Sequence, residues 1–564
     1  MEGENKSMEN GLTSGEIESN SRDQTESSRD QTENSTGSKT GNQAETKMDS
    51  INSLDNKKDL SIESFVKPMK KEKIPGWQSG RQKTFIEDYH IFMAASLFFG
   101  IMYAWCMYQN PFGITYPVLI LSLYGMLLVM LHKLEVPVKK DSWFIIAVAM
   151  ILGTGVCLTA DIFLIGLTKI SEFLLLCVFM VHQFHEDKEW SIGRYMIQAG
   201  TYFFNCIAVI GYPFLQGSMF FKKKEMKSNK NLIYISIGIL SSIPIVIIMG
   251  ILLAQADAVF GNMLEGWFEG IFHMGRIFVI ISMIILGTWW IYCTVAGACM
   301  ENSQVSEKDT RTHEPMVAAA FMGTVTLMYL IFSVIQIVYL FLGKGALPDG
   351  MTFSEYARQG FFQLLFVAVI NLFMVLMSLK YFRKSNVLNT ILTVVCVCTY
   401  IMIASAAYRM LLYVGEYHLT YLRVLVLWFL ILLAILLTGV TVLIYKNKFP
   451  LFRYCLTVVS VFYVSLVLVK PGRVIAQYNV QFINEWTRED FNYMTYDLSA
   501  DAAPIIMEAL KEDEVLDRFY LKNREEFISS YGNRVIDNFY NWENGGIRKY
   551  NFSFDRAVKS IYGR

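Results

Sequence analysis

Residues 424–445 read VLVLWFLILLAILLTGVTVLIY and contain no charged side chain. A helix needs roughly 20 apolar residues to cross ~30 Å of hydrocarbon, and this stretch meets that length. Residues 231–254, NLIYISIGILSSIPIVIIMGILLA, meet it as well. Both stretches are therefore predicted to be transmembrane helices, and they indicate a membrane protein with several spans.

Similar stretches occur on both sides of these two, from Tyr89 to Val469. We predict an all-α fold, a polytopic transmembrane helical bundle of about 11 spans. The predicted spans are 89–108, 112–131, 143–160, 162–182, 231–254, 276–299, 316–342, 361–380, 388–408, 423–444 and 452–469.

The composition agrees with this class and excludes others. Hydrophobic residues make up 53% of the chain, and its formal net charge is zero. A nucleic-acid partner is not expected, because such a partner calls for a basic face. The sequence shows no phosphate loop, dinucleotide fingerprint, nucleophile elbow or zinc-protease helix. We therefore predict no catalytic residue and no cofactor.

Both ends of the chain differ from the apolar centre. Residues 1–62 are rich in Ser, Thr, Asn, Glu and Gln, and they repeat SRDQTES as SRDQTEN. Such a composition cannot bury a core, so we predict a disordered polar tail. The basic segment 63–88 precedes the first span, and by the positive-inside rule it predicts a cytoplasmic N-terminus.

Loop charges predict the path of the chain through the membrane. The stretch 195–221 is apolar but contains Gln198, Asn205 and Pro213. If it crossed the membrane, the lysine-rich loop after it and every later basic loop would lie outside, so we interpret it as interfacial or re-entrant. The acidic loop 255–275 then lies outside, and residues 470–564 form a small extracytoplasmic helical domain.

Polar side chains within spans are costly and need a reason. Lys169 and Glu172, three residues apart, are a candidate intramembrane pair because they share a helical face. A packing role, a transport or proton-relay role and an interfacial position all remain open for them. Gln336 and Asn371 are uncharged, and we predict that they form hydrogen bonds between helices.

A second charged group lies at the predicted outer ends of several spans. These residues would line one polar crevice if the helices pack in sequence order, although side chains that reach the interface singly produce the same pattern. Arginine in such a crevice matches a phosphate or carboxylate group. The candidate crevice residues are Asp257, Glu355, Arg358, Arg409, Glu416 and Arg423.

Histidines and an acid lie at the inner end of the fourth predicted span. His182, His185 and Glu186 have a helical spacing that can bind a metal. Lys188 interrupts this group and no second pair of ligands is evident, so we predict no metal site.

Several short stretches of the chain resemble one family. They are 254–260 (AQADAVF), 355–365 (EYARQGFFQLL), 408–413 (YRMLLY), 419–423 (LTYLR), 475–479 (IAQYN) and 501–504 (DAAP). In these stretches the chain resembles an uncharacterised family of bacterial multi-pass membrane proteins, known as a domain of unknown function. The resemblance implies a helical protein of the bacterial cell membrane and carries no activity.

These features favour a non-enzymatic protein of the bacterial envelope, acting as a scaffold or sensor partner. The expected partners are the lipid bilayer and, on the outer face, an envelope protein or a lipid-linked ligand. A secondary transporter is an alternative if Lys169 and Glu172 face one cavity with the intramembrane amides. A membrane enzyme acting on an outer-leaflet substrate is another, with Asp257 or Glu355 as the acid or base.

Overall fold

The computed structural model describes residues 79–187, 190–223, 257–300, 311–338, 353–446, 448–483, 487–511, 524–537 and 546–563, with isolated positions from 242 to 256. Over these residues the chain is helical, and an isolated β-bridge joins His313 and Phe382. The predictions for residues 1–62 and, apart from those isolated positions, for 231–254 lie outside the described residues.

The helices are numbered here in chain order. They are α1 Ser79–Glu87, α2 Tyr89–Met107, α3 Thr115–Lys133, α4 Ser142–Leu158, α5 Ile162–Phe184, α6 Ile192–Ala208, α7 Tyr212–Lys223, α8 Ala258–Ala298, α9 Pro315–Gln336, α10 Phe353–Tyr381, α11 Asn386–Tyr417, α12 Tyr421–Tyr445, α13 Leu451–Val469, α14 Pro471–Phe482, α15 Arg488–Asn492, α16 Ala503–Ala509, α17 Arg524–Asp537 and α18 Phe552–Tyr562.

Helix length and apolarity confirm the predicted membrane class. Among the described residues, nine helices are long and apolar enough to cross a membrane, or ten if the bent pair α6 and α7 forms one span. These nine cover the predicted spans except 143–160, which corresponds to the 17-residue α4, and 231–254. Leu121 and Leu286 are 59% and 65% exposed on outward faces. Such a surface fits a bilayer, because it would associate in water.

The membrane helices pack around two hydrophobic cores. Phe92, Leu127 and Phe179 lie in the first core, to which α2 to α6, α8 and α13 contribute. Leu392 and Leu430 lie in the second core, to which α9 to α12 contribute. Helices α12 and α13 pack against each other and join the two groups.

Charged loops gather at one end of this bundle, which we call the basic end. Lys139, in the loop after α3, donates from Nζ to the carbonyl oxygen of His182 near the end of α5, at 2.7 Å. Lys133, at the end of α3, pairs with Asp88 before α2 at 3.3 Å. The loops between α2 and α3, between α4 and α5 and between α11 and α12 lie at the other ends of the same helices.

The bent pair α6 and α7 begins and ends at the basic end. The two helices meet at an angle of 59°. Tyr195, in the first turn of α6, donates from its hydroxyl to Asp187 Oδ2 at 2.8 Å. Phe220, near the end of α7, packs against Tyr89 at the start of α2, with ring centroids 5.8 Å apart. Tyr195 and Phe220, near the two ends of the bent pair, therefore both contact groups at the basic end.

The described parts of residues 471–563 pack on the opposite end, which we call the C-terminal end. The described parts of this C-terminal segment are the helices α14 to α18 and short turns between them. Ile475, Ile506 and Phe554 are buried in a third core, which also includes Ala160 from the loop between α4 and α5. The segment is therefore packed against the membrane helices rather than tethered beside them.

Candidate functional site

One buried carboxylate connects the C-terminal segment to the membrane helices. Asp501 Oδ2 accepts hydrogen bonds from Thr159 Oγ1 at 2.6 Å and from the Ala160 N–H at 3.0 Å. Its Oδ1 accepts from the Ser553 hydroxyl and lies 3.6 Å from Lys470 Nζ. Because Asp501 is buried, these partners replace the water that an ionised carboxylate would otherwise bind.

Two buried asparagines make further connections of this kind. Asn551 Nδ2 donates to the carbonyl oxygens of Thr159 at 3.0 Å and Phe112 at 3.2 Å, while its Oδ1 accepts from the first N–H groups of α18. Asn479 Oδ1 accepts from the Leu419 N–H, and its Nδ2 donates to the Leu419 carbonyl oxygen, both at 2.9 Å. The two asparagine side chains thus form hydrogen bonds with loop backbone groups, which would otherwise be buried without a partner.

A cavity of about 720 Å³ lies where the C-terminal segment meets the starts of α5 and α12. Its membrane-side wall includes Ile162, Phe163 and Leu422, which are 61%, 57% and 61% exposed. Its other wall belongs to the C-terminal segment and includes Tyr493 and Arg534. The cavity thus joins an exposed apolar surface to a polar one.

Asp161 supplies a buried acid to the cavity. Its Oδ1 caps α5 by accepting from the Leu164 N–H at 3.1 Å. Burial raises the pKa of Asp161, although the Leu164 N–H and the Tyr421 hydroxyl act to lower it. Nearby, Tyr493 accepts a hydrogen bond from the Tyr421 N–H at 2.6 Å, and burial raises the pKa of Tyr493 to about 12.

Arg534 supplies a cation to the same cavity. Its guanidinium lies 5.7 Å from the ring centre of Tyr496 and 5.2 Å from that of Tyr531, and it donates to the Tyr496 carbonyl oxygen. Asp497 adds an exposed carboxylate to the lining. The cavity therefore combines one cation with two acids beside an apolar wall.

Arg409, a crevice candidate, makes a contact between helices. Its Nη2 donates to Gln336 Oε1 at 3.3 Å, and Ser405 Oγ donates to the same oxygen at 2.6 Å. Asn371 Nδ2 donates to Thr399 Oγ1 at 3.0 Å, from α10 to α11. These bonds confirm the prediction that Gln336 and Asn371 each form hydrogen bonds to a neighbouring helix.

Arg423 lies close to the cavity and closes α11. It donates to the carbonyl oxygens of Tyr417 and His418, and its guanidinium lies 4.2 Å from the Tyr413 ring centre. His418 has a φ of 62°, so the chain leaves the helix in the left-handed region. The charge of Arg423 also acts on Tyr493 in the cavity wall.

The other crevice candidates are not joined to these by the contacts that the structure describes. Asp257 caps α8 by accepting hydrogen bonds from the Val259 and Phe260 N–H groups. Helix α8 packs in the first core rather than the second. Glu416 is exposed at the end of α11. The side chains of Glu355 and Arg358 lie outside the described part. A single crevice formed by all these residues stays a prediction.

Lys169 and Glu172 have separate surroundings. Lys169 Nζ lies 5.8 Å from the ring centre of Tyr116 on α3. Glu172 is buried, and neither of its carboxylate oxygens has a hydrogen-bond partner among the described residues. The two side chains, both within the described part, therefore do not form the ion pair that their spacing allows.

Asp187 forms a second polar cluster, at the basic end. Its Oδ2 accepts from the Tyr195 hydroxyl at 2.8 Å and lies 2.7 Å from His182 Nδ1. Its Oδ1 accepts from Arg453 Nη2 at 3.1 Å, and Arg453 also bonds Asp141. This cluster connects α4, α5, α6 and α13. Sequence reasoning missed Asp187, whose only signal is an acid directly after a span.

The histidines singled out in the sequence have other partners. His182 faces Asp187, whereas His185 Nε2 accepts from Gln198 Nε2 at 3.0 Å. Glu186 lies 3.6 Å from Lys139 Nζ. Within the described ranges, no three His, Cys, Asp or Glu side chains are arranged to hold a metal ion.

The Asp187 cluster predicts an acid-dependent loss of stability. Burial by itself raises the pKa of Asp187, but hydrogen bonds from His182 and Tyr195 and the charge of Arg453 lower it from 3.8 to about 2. A carboxyl whose folded pKa lies below its unfolded pKa contributes stability above the unfolded value and loses it as pH falls through the folded one. We expect the melting temperature in detergent to fall more between pH 5 and about pH 2 in the wild type than in Asp187→Asn. Equal falls would contradict this assignment.

Comparison with known proteins identifies a family and no activity. The model of a family described as Domain of unknown function (DUF4153) matches residues 145–509, more than half of the chain. No match is found among the curated proteins or among the solved structures. The matched region runs from α4 to α16 and includes Asp161, Glu172, Asp187 and Asp501. The predicted membership of an uncharacterised family is confirmed, and the chain belongs to the DUF4153 family.

Proposed function

We propose that this protein is a non-enzymatic sensor or scaffold of the bacterial cell membrane, and that its cavity binds the headgroup of a membrane lipid or a lipid-linked molecule. The single observation that carries the proposal is the cavity of about 720 Å³ between the membrane helices and the C-terminal segment. Ligand sites in proteins have this range of volume, and they commonly lie between packed units.

The cavity walls favour an amphipathic ligand. Ile162, Phe163 and Leu422 continue the lipid-facing surface of α5 and α12, so an acyl chain can remain in the bilayer while its headgroup enters. The fork of Arg534 matches a phosphate, and the charge of Arg423 adds to the positive potential there. Asp161 and Asp497 match an ammonium group. A headgroup that carries both a phosphate and an amine therefore fits best.

We also propose an orientation of the protein in the membrane. Lys133, Lys139 and Arg453 belong to the basic end, which by the positive-inside rule faces the cytoplasm. Residues 1–62 then form the cytoplasmic polar tail, and the C-terminal segment lies outside the cell. The ligand would accordingly come from the outer leaflet. A change in ligand occupancy would alter how the C-terminal segment packs, which is the form of signal that we propose.

Lipid retention tests the proposed site. We expect native mass spectrometry of the detergent-purified protein to show retained phosphatidylethanolamine in preference to phosphatidylglycerol, since the latter lacks the amine. Arg534→Ala should weaken that retention by about tenfold, because a charge-assisted hydrogen bond is lost.

Arg473→Ala is the matched control. Arg473 is exposed on α14 of the same segment and is absent from the cavity lining. Its replacement by alanine removes the same charge as Arg534→Ala does. We expect Arg473→Ala to retain the lipid as the wild type does. If the wild type retains the two lipids equally, and Arg534→Ala retains them as well as the wild type does, the cavity does not bind the headgroup.

A further inference from the structure

Glu172 is a buried acid that the cavity does not use. It lies in the middle of α5, and its side chain is only 6% exposed. Both carboxylate oxygens lack a hydrogen-bond partner among the described residues. Lys169, one turn earlier, approaches the Tyr116 ring instead. No cation within the described part therefore balances a charge on Glu172.

The helices packed around Glu172 offer few polar groups. On α3, Tyr116 and Tyr124 interact electrostatically with it, and the Tyr124 hydroxyl is itself buried without a described partner. On α13, Tyr463 also interacts electrostatically with Glu172. On α4 it faces Gly153, where an added Cβ atom would lie 3.7 Å from Oε1.

The remaining titratable groups near this part of α5 are thiols and a phenol. Cys177 lies on the same helix as Glu172, and α6 and α8 contribute Tyr202, Cys206 and Cys293. These four side chains line a separate, mainly apolar cavity of about 270 Å³. They are neutral groups at physiological pH, so they do not compensate a charge on Glu172 either.

Burial in such surroundings favours one ligand chemistry. An ionised carboxylate without a partner bears the full cost of leaving water, whereas the neutral acid bears much less. A metal cation requires several oxygen ligands, and the described residues offer no group of three acidic, histidine or cysteine ligands. The site therefore suits a proton rather than a metal ion.

We propose that the Glu172 carboxyl is a proton-binding site inside the membrane domain, protonated while α3, α4 and α5 pack around it. Release of the proton would require that packing to open and admit water or a base. Protonation at Glu172 is thereby linked to the arrangement of the first core. This site is independent of the cavity at the C-terminal end.

An apolar carbodiimide tests the protonated state directly. Dicyclohexylcarbodiimide reacts with a neutral carboxylic acid: the acid oxygen bonds to the central carbon of the reagent, and the acid proton moves to a reagent nitrogen. The O-acylisourea formed rearranges to a stable N-acylurea, and no atom leaves. Peptide mass spectrometry of the purified wild-type protein then shows Glu172 heavier by one reagent molecule.

We expect Glu172 to be labelled at neutral pH by the apolar reagent and not by a water-soluble carbodiimide. Glu172→Gln should lose that label, whereas Glu416→Gln, which alters an exposed acid, should keep it. An unlabelled Glu172 in wild-type protein that elutes as a folded species would overturn the proposal. The proposal would also be overturned if sodium chloride suppressed the labelling and choline chloride did not, because Glu172 would then bind a metal cation. The wild-type measurement decides the question even if Glu172→Gln fails to fold.

Discussion

Replacing Asp187 with alanine is expected to lower the free energy of unfolding by about 3 kcal/mol, since one partner of a buried ion pair is removed. The change leaves His182 and Tyr195 buried without the carboxylate and leaves Arg453 with only its more exposed partner. Thermal denaturation of the detergent-purified protein measures the loss. Because α6 depends on this cluster through Tyr195, proteolysis within α6 should also become faster.

Asp141→Ala is the control for that prediction. Asp141 also bonds Arg453, but its side chain is 61% exposed. An exposed ion pair contributes about 1 kcal/mol or less, because water replaces the missing partner. If the two alanine variants are destabilised equally, burial of Asp187 is not the source of its effect.

Replacing Asp501 with alanine should release the C-terminal segment from the membrane helices. The variant removes the acceptor for Thr159, Ala160 and Ser553 and leaves Lys470 half-buried without its described partner. We expect a cost of about 3 kcal/mol, which raises the population of the undocked segment by about a hundredfold. Limited proteolysis after Lys470 and Arg473 in detergent measures that population.

The matched control is Asp490→Ala, which removes an acid from the same segment. Asp490 is partly exposed and forms a local capping box with Thr487 at the start of α15. Its loss should cost about 1 kcal/mol and leave docking unchanged. Equal proteolysis of the two variants would show that Asp501 does not hold the segment. The lipid-retention experiment would then need to be interpreted anew, because the cavity depends on the docked segment.

The intramembrane polar residues show how far sequence reasoning extends. Gln336 and Asn371 were predicted to pair between helices, because an amide in hydrocarbon must find a partner on a neighbouring helix. Their partners, Ser405 and Thr399, could not be named, since helix rotation selects them. Glu172 was predicted, together with Lys169, as a candidate intramembrane pair. Its separation from Lys169 depends on side-chain direction, which spacing along one helix does not determine.

The contacts of Asp501 and Asp187 could not be predicted from the sequence for a related reason. Asp501 lies within DAAP, one of the stretches that carry the family resemblance, but nothing in that stretch names Thr159 as its partner. The two residues are 342 positions apart. Asp187 and Arg453 are 266 positions apart and were likewise not connected. Neither pair follows a spacing rule, so neither can be found from local pattern.

The sequence by itself determined the helical membrane class, the approximate bounds of most spans and the grouping of the basic loops. It did so because each apolar stretch must match the bilayer thickness and satisfy its own backbone, and both are local requirements. Only the tertiary structure decided that the C-terminal segment docks through Asp501, that a cavity forms beside Asp161 and Arg534, and that Glu172 has no hydrogen-bond partner among the residues that the structure describes. Those outcomes depend on which distant helices pack together, because burial and pairing arise from all the helices at once.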